Sequence, residues 1–219
     1  TSNLDLFCID VDDVAYSTSN WTNKDAGASY NLDCTLVTYV PDDAFEQALI
    51  DQGRDSGPLD NFVTTANISS LTYLDVSNKG ISSLTGIEDF TSLTALFCYL
   101  NNLTSVDLSS NTALTILVCA SNDLTSLDVS SNTALTDLRC DSNSLTSLDV
   151  SSNTSLTELY CSSNSLTSLD VSSNTALTRL YCYENSLTSL DVSNNTALTI
   201  LDCNSNSLTS LDVSSNTAL

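Results

Sequence analysis

The chain has 219 residues, 27 acidic against 5 basic side chains and no histidine, for a formal charge of -22 at neutral pH. That balance argues against nucleic acid or an anionic membrane surface as partner, since phosphate binding needs clustered Lys and Arg. Lack of histidine removes the commonest general base and the commonest metal ligand. No apolar run approaches the roughly 20 residues that span a bilayer.

The first segment, residues 1–34, is loop-rich and contains Cys8 and Cys34, two of the eight cysteines and the two that lie off any repeat. A segment with little core of its own gains most from a bridge, so a Cys8–Cys34 disulfide is expected. Residues 35–70 form a second segment with a short helix at about 42–52. Pro41 and the acids Asp42 and Asp43 suit its start and Gly53 its end, while Phe45, Ala48 and Leu49 share one face. That face is expected to cover the open end of the repeat array that begins at Leu71.

Residues 71–92 make the first unit of that array, 22 residues built on Leu71, Leu74, Val76, Ile81, Leu84, Ile87 and Phe90. Six 21-residue copies of L-T-x-L-x-C-x-x-N-x-L-T-S-L-D-V-S-x-N-T-A then start at Leu93, Leu114, Leu135, Leu156, Leu177 and Leu198, and Leu219 stands first in a further coil. Such short units cannot bury their apolar side alone and must stack. Apolar residues alternate around Leu-x-Cys and again around Leu-Asp-Val, which is strand periodicity. The expected fold is therefore a mostly β solenoid with two stacked parallel sheets of short strands and an α-helical N-terminal cap.

The nested motifs L-x-x-L-x-[CV]-x-x-N resemble the leucine-rich repeat family, in its bacterial variety with 21-residue units (IRREKO-type), and the first unit is similar in spacing to internalins. The resemblance implies that the Leu-x-Cys strands line a concave face and the Leu-Asp-Val segments a convex one. It also implies a secreted bacterial surface protein, of flavobacterial type, that binds a protein or glycan. Residues 1–34, with Trp21 and Tyr16, look like the closing cap of a similar array. A closing cap ahead of an opening cap suggests a window cut from tandem arrays, or a fibre assembled head to tail. The start at Thr1, without Met or signal-peptide pattern, is read as a mature or excised piece.

Cysteine at the sixth position (Cys98, Cys119, Cys140, Cys161, Cys182, Cys203) replaces Leu and should form a buried, reduced row. The two asparagine rows, Asn101 to Asn206 and Asn111 to Asn216, should bond turn backbone. The aspartate row Asp107, Asp128, Asp149, Asp170, Asp191 and Asp212 should face solvent, as a weak candidate for Ca²⁺ or as a face that discourages edge pairing. No other metal or cofactor is expected. Differences between copies concentrate at outward positions of the Leu-x-Cys strand, where Phe97, Tyr99, Arg139, Tyr160, Arg179, Tyr181 and Tyr183 appear. Drift alone would leave small polar residues; aromatics and arginines anchor interfaces. These seven residues are the candidate ligand-binding surface. With no glycine-rich phosphate loop and no cleft with a distinct acid pair, an enzyme is not expected. An ice-binding face is disfavoured because the outward convex residues are Ser, Asp and Ser, not paired threonines.

Overall fold

The computed structural model describes residues 37–219 and, before them, two three-residue strands, β1 (Cys8–Asp10) and β2 (Ser29–Asn31), which pair in parallel. The expected closing cap over residues 1–34 otherwise lies outside the described residues, as does Cys34 and with it the proposed disulfide to Cys8.

The cap helix α1 spans Asp43–Asp51, within the expected stretch. Asp42 starts it by accepting the Ala44 and Phe45 N–H groups on Oδ1, both at 3.0 Å, two of the donors a helix start leaves unpaired. Gly53, at φ +68°, ends it in the left-handed region that favours glycine. Phe45, Ala48 and Leu49 are buried on the inner face, and the Phe45 ring lies 6.2 Å from Phe90 of the first coil. The Glu46 carboxylate is also inside, where it accepts the Asp60 and Asn61 N–H groups at 2.7 and 3.0 Å. Burial raises its pKa, and those two donors partly offset the rise.

Three further cap elements carry no sequence signature. Strands β3 (Val37–Tyr39) and β4 (Phe62–Thr64) pair antiparallel across the helix, and a single helical turn, α2 (Thr65–Ile68), follows. Thr38 knots them to the first coil, donating to Asp89 Oδ2 at 2.6 Å and lying 2.9 Å from the Thr65 hydroxyl.

The array itself is one parallel sheet of seven strands in chain order: β5 (Tyr73–Asp75), β6 (Ala95–Phe97), β7 (Ile116–Val118), β8 (Asp137–Arg139), β9 (Glu158–Tyr160), β10 (Arg179–Tyr181) and β11 (Ile200–Asp202). Each strand pairs with the equivalent residues of the next coil, as in Leu138 with Leu159 and Leu159 with Leu180. The central leucine points inward and its two neighbours outward, the period-2 rule of a strand. Leu138, Cys140, Leu145, Val150 and their equivalents in the coils around them join a continuous core that runs back to the cap. Burying each leucine contributes roughly 1.5–3 kcal/mol. In the final described coil Leu201, Cys203 and Leu208 are half-buried.

After each strand one residue takes a positive φ: Asn78, then Leu100, Ser121, Ser142, Ser163, Glu184 and Ser205, all between +50° and +55°. None is glycine, so each coil carries local strain, on the order of 1 kcal/mol, to leave the sheet at a fixed angle. In the 21-residue coils the asparagine that follows holds this corner. Asn122 Nδ2 donates to Cys98 O and Cys119 O, both at 3.0 Å, and its Oδ1 accepts the Leu103 N–H at 3.0 Å. One side chain thus satisfies main chain in two consecutive coils.

The second parallel sheet expected over the Leu-Asp-Val segments does not form; among the described residues these segments carry no strand. Their backbone bonds are used locally instead. Asn132 N–H and Leu135 N–H bond three residues back, to Val129 O and Asn132 O, and the Asp149 side chain accepts the Ser151 N–H of its own coil at 2.9 Å. Coil-to-coil contact on this side is carried by the second asparagine row, in which Asn132 Nδ2 reaches Leu108 O and Asn111 O at 3.1 and 2.9 Å. No helix among the described residues is long and apolar enough to cross a membrane.

Candidate functional site

The solvent face of the seven-stranded sheet is built from the residues flanking each central leucine, and in-register stacking sets them in columns about 4.8 Å apart per coil. Neighbouring coils therefore determine what each side chain meets. Its composition changes along the array.

Towards the cap the face is apolar. Tyr73, which is 56% exposed, lies 5.3 Å from the Phe97 ring. Ile116 and Val118 continue the face from β7. Ala95, expected to point outward, is buried.

Over the next coils the face becomes charged and ordered. Arg139, Tyr160 and Tyr181 are successive register partners. The Arg139 guanidinium lies 4.6 Å from the Tyr160 ring centre, and the Tyr160 and Tyr181 rings stack at 4.6 Å with only 10° between their planes. Parallel to this column runs a second one of Asp137, Glu158 and Arg179. Arg139 bonds Asp137 through Nε at 3.1 Å and through Nη2 at 2.9 Å. Arg179 Nη1 reaches Glu158 Oε1 at 2.6 Å, and Arg139 Nη2 lies 3.6 Å from Glu158 Oε2. The Tyr160 hydroxyl donates to Glu158 Oε2 at 3.1 Å. Glu158, at 22% side-chain exposure against 41% and 45% for the two arginines, is the hub of this network.

The electrostatics follow the contacts. The Asp137 carboxylate raises the Arg139 pKa, partial burial opposing it. Partial burial, then the Glu158 charge, raises the Tyr160 phenol. Asp141, half-buried beside the cluster, has its pKa raised, chiefly by desolvation. The side chains are thus fixed by partners before any ligand arrives, which lowers the entropy cost of binding.

Of the seven sequence-derived candidates, Arg139, Tyr160, Arg179 and Tyr181 come together in this one cluster, while Phe97 belongs to the apolar end with Tyr73. Among the described residues the Tyr99 and Tyr183 rings contact no other ring; both residues are half-buried on the flank of the sheet. Asp137, Glu158, Asp141 and Tyr73 were not singled out from sequence. The signal that could have found the two acids was their position two residues before Arg139 and Tyr160 on the same strand face.

The cysteine row runs under this face. Cys98, Cys119, Cys140, Cys161 and Cys182 are fully buried, Cys203 is half-buried, and all six are free thiols. Burial pushes Cys98 and Cys182 up to about 12, so they stay protonated and unreactive. On the opposite side, Asp107, Asp128, Asp149, Asp170, Asp191 and Asp212 have lowered pKa values, held down by the hydroxyl and N–H of the serine two residues on. Among the described residues no three acidic or thiol side chains converge as metal ligands would.

A family profile described as leucine-rich repeat matches residues 120–138, 141–159 and 162–178. Internalin J of Listeria monocytogenes is 52% identical over 50 residues, which is 23% of this chain and 6% of internalin J. The solved functional domain of the Listeria monocytogenes protein InlJ, described as including a cysteine ladder, superposes with a TM-score of 0.54 at 38% identity, covering 84% of this chain and 51% of that one. A leucine-rich repeat protein of Leptospira interrogans gives 0.57 at 25% identity over 61% of this chain and 37% of that one. Internalin C2 of Listeria monocytogenes gives 0.60 at 19% identity over 81% and 89%, a likeness of fold alone. The chain is a leucine-rich repeat solenoid similar to bacterial internalins, and it spans about half of the InlJ domain and a small part of internalin J.

Proposed function

We propose that the array is a non-enzymatic recognition module that binds a protein through the concave sheet face, outside a bacterial cell. The observation that carries this reading is the pre-assembled cluster of Arg139, Tyr160, Arg179 and Tyr181 around Glu158, placed where the coils differ while the rest of each coil is held by packing. Likeness to internalin J supports the bacterial origin. The 21-residue register supports the double-motif (IRREKO-type) class; a flavobacterial source is part of the same proposal. Tyr99, Tyr183 and Phe97 would widen the contact on its flank and towards the cap.

A protein fits better than a glycan. Sugars stack on open aromatic faces, and the cluster offers one at most: Tyr160 has Arg139 over one face and Tyr181 over the other, which leaves the far face of Tyr181. What it offers is ring edge, hydroxyl and fixed charge, the groups a protein surface pairs with.

A photocrosslinking side chain at Tyr183 or at Ala120 should yield adducts to a partner protein from the native setting, and one at convex Ser147 should not. Replacing Tyr160 and Tyr181 together by serine should abolish the concave adducts while leaving the melting temperature within a few degrees. Adducts from Ser147 alone would place recognition on the other side.

A further inference from the structure

The column Arg139–Tyr160–Tyr181 has one closed end and one open end. At the closed end a guanidinium covers a tyrosine face while a neighbouring carboxylate, Asp137, holds its edge through two nitrogens. At the other end Tyr181 has one face against Tyr160, and among the described residues no ring or cation covers the second. The register partner of Tyr181 on that side is Asp202, so a carboxylate stands beside the uncovered ring. Asn204 fixes it, donating through Nδ2 to Asp202 Oδ1 at 2.5 Å, and the other carboxylate oxygen, Oδ2, carries no bond among the described residues.

We propose that this end is an arginine niche: a guanidinium of the partner protein stacks on the open face of Tyr181 and pairs with Asp202. The proposal rests on the concave-face reading and deepens it by naming the group that is recognised. The chain supplies its own template, since Arg139 already occupies the equivalent place at the far end of the same column. Charge points the same way. A chain of net charge -22 favours a basic partner, and both arginines of the array are already taken up by Asp137 and Glu158. A planar guanidinium suits the site better than an ammonium, because it can lie flat on the ring and present its edge to the carboxylate together. A bound arginine would continue the column by one rung, so that two guanidinium groups bracket two tyrosine rings.

The test is a titration of the whole chain with acetyl-Gly-Arg-Gly-amide, following the Tyr181 ring and Asp202 amide signals by NMR. Saturable shifts at both are expected, weakened about tenfold when citrulline replaces arginine or when Asp202→Asn is introduced. Tyr181→Ser removes the ring and should abolish the saturable shift at Asp202. Equal response to citrulline, indifference to Asp202→Asn, or shifts spread over the acidic surface without saturation at Tyr181 would overturn the niche. Failure here is separable from failure of the broader reading. Undiminished crosslinking at Tyr183 in the Asp202→Asn chain overturns the niche and leaves the concave face standing; no crosslinking at Tyr183 or Ala120 removes the reading beneath both.

Discussion

Asn122 shows how much one side chain can do in a stacked chain. It closes three main-chain groups in two coils, none of which can reach water. Asn122→Ala orphans the buried Leu103 N–H and takes one of two donors from each of Cys98 O and Cys119 O, which keep Asn101 and Asn143, and should lower stability by about 2 kcal/mol, measured from the denaturant midpoint at constant slope. Asn132→Ala, in the second row, should cost less. Its Oδ1 has no partner to lose, and only the bonds to Leu108 O and Asn111 O go. Both rows were legible in the sequence, because asparagine at a fixed phase inside a leucine pattern has few other uses. The left-handed residue just before the first row was not: serine, leucine and glutamate at that place give no sign of a positive φ.

At the scale of elements, one carboxylate serves both the cap helix and the first coil. Asp42 uses one oxygen at the start of α1 and the other on Ser82 N–H and Ser83 N–H of the first coil, at 2.8 and 3.0 Å. Asp42→Ala removes four bonds from two elements at once, so it should cost about 2–3 kcal/mol, more than an ordinary helix cap. Amide exchange should quicken in α1 and the first coil together. If only the helix loosens, the link to the coil contributes little. The helix itself was readable from Pro41, its acidic start and Gly53. The β3–β4 pair was not, because three-residue strands 25 positions apart have neither length nor periodicity to announce them. The Leu-Asp-Val segments misled for the opposite reason. Leu-Asp-Val alternates like a strand, yet local turns and the aspartate–serine bonds take the backbone groups a ladder would need.

Across the whole molecule, stability should pass through a maximum on acidification. Asp141 and Glu46 have raised pKa values in the folded chain, mainly from burial, so their ionised forms oppose folding and that cost is relieved as pH falls through those values. The aspartate row opposite the sheet behaves inversely. Their pKa values are lowered by serine, so they stabilise the fold above the ordinary aspartate pKa of about 3.9 and lose that contribution as pH falls below it. The denaturant midpoint should therefore rise as pH falls from neutrality towards the ordinary carboxylate range of about 4 and fall below it; a steady fall from neutrality would contradict the assignment. Repetition alone determined the solenoid, its period, the buried thiols and which strand positions face outward, because a short unit with one apolar side has no stable arrangement except stacking. It also marked Arg139, Tyr160, Arg179 and Tyr181 as outward-facing. Only the tertiary structure decided that they form one network. Contact between residues 21 positions apart depends on rotamers and on Asp137 and Glu158, whose roles exist only once the coils are in register.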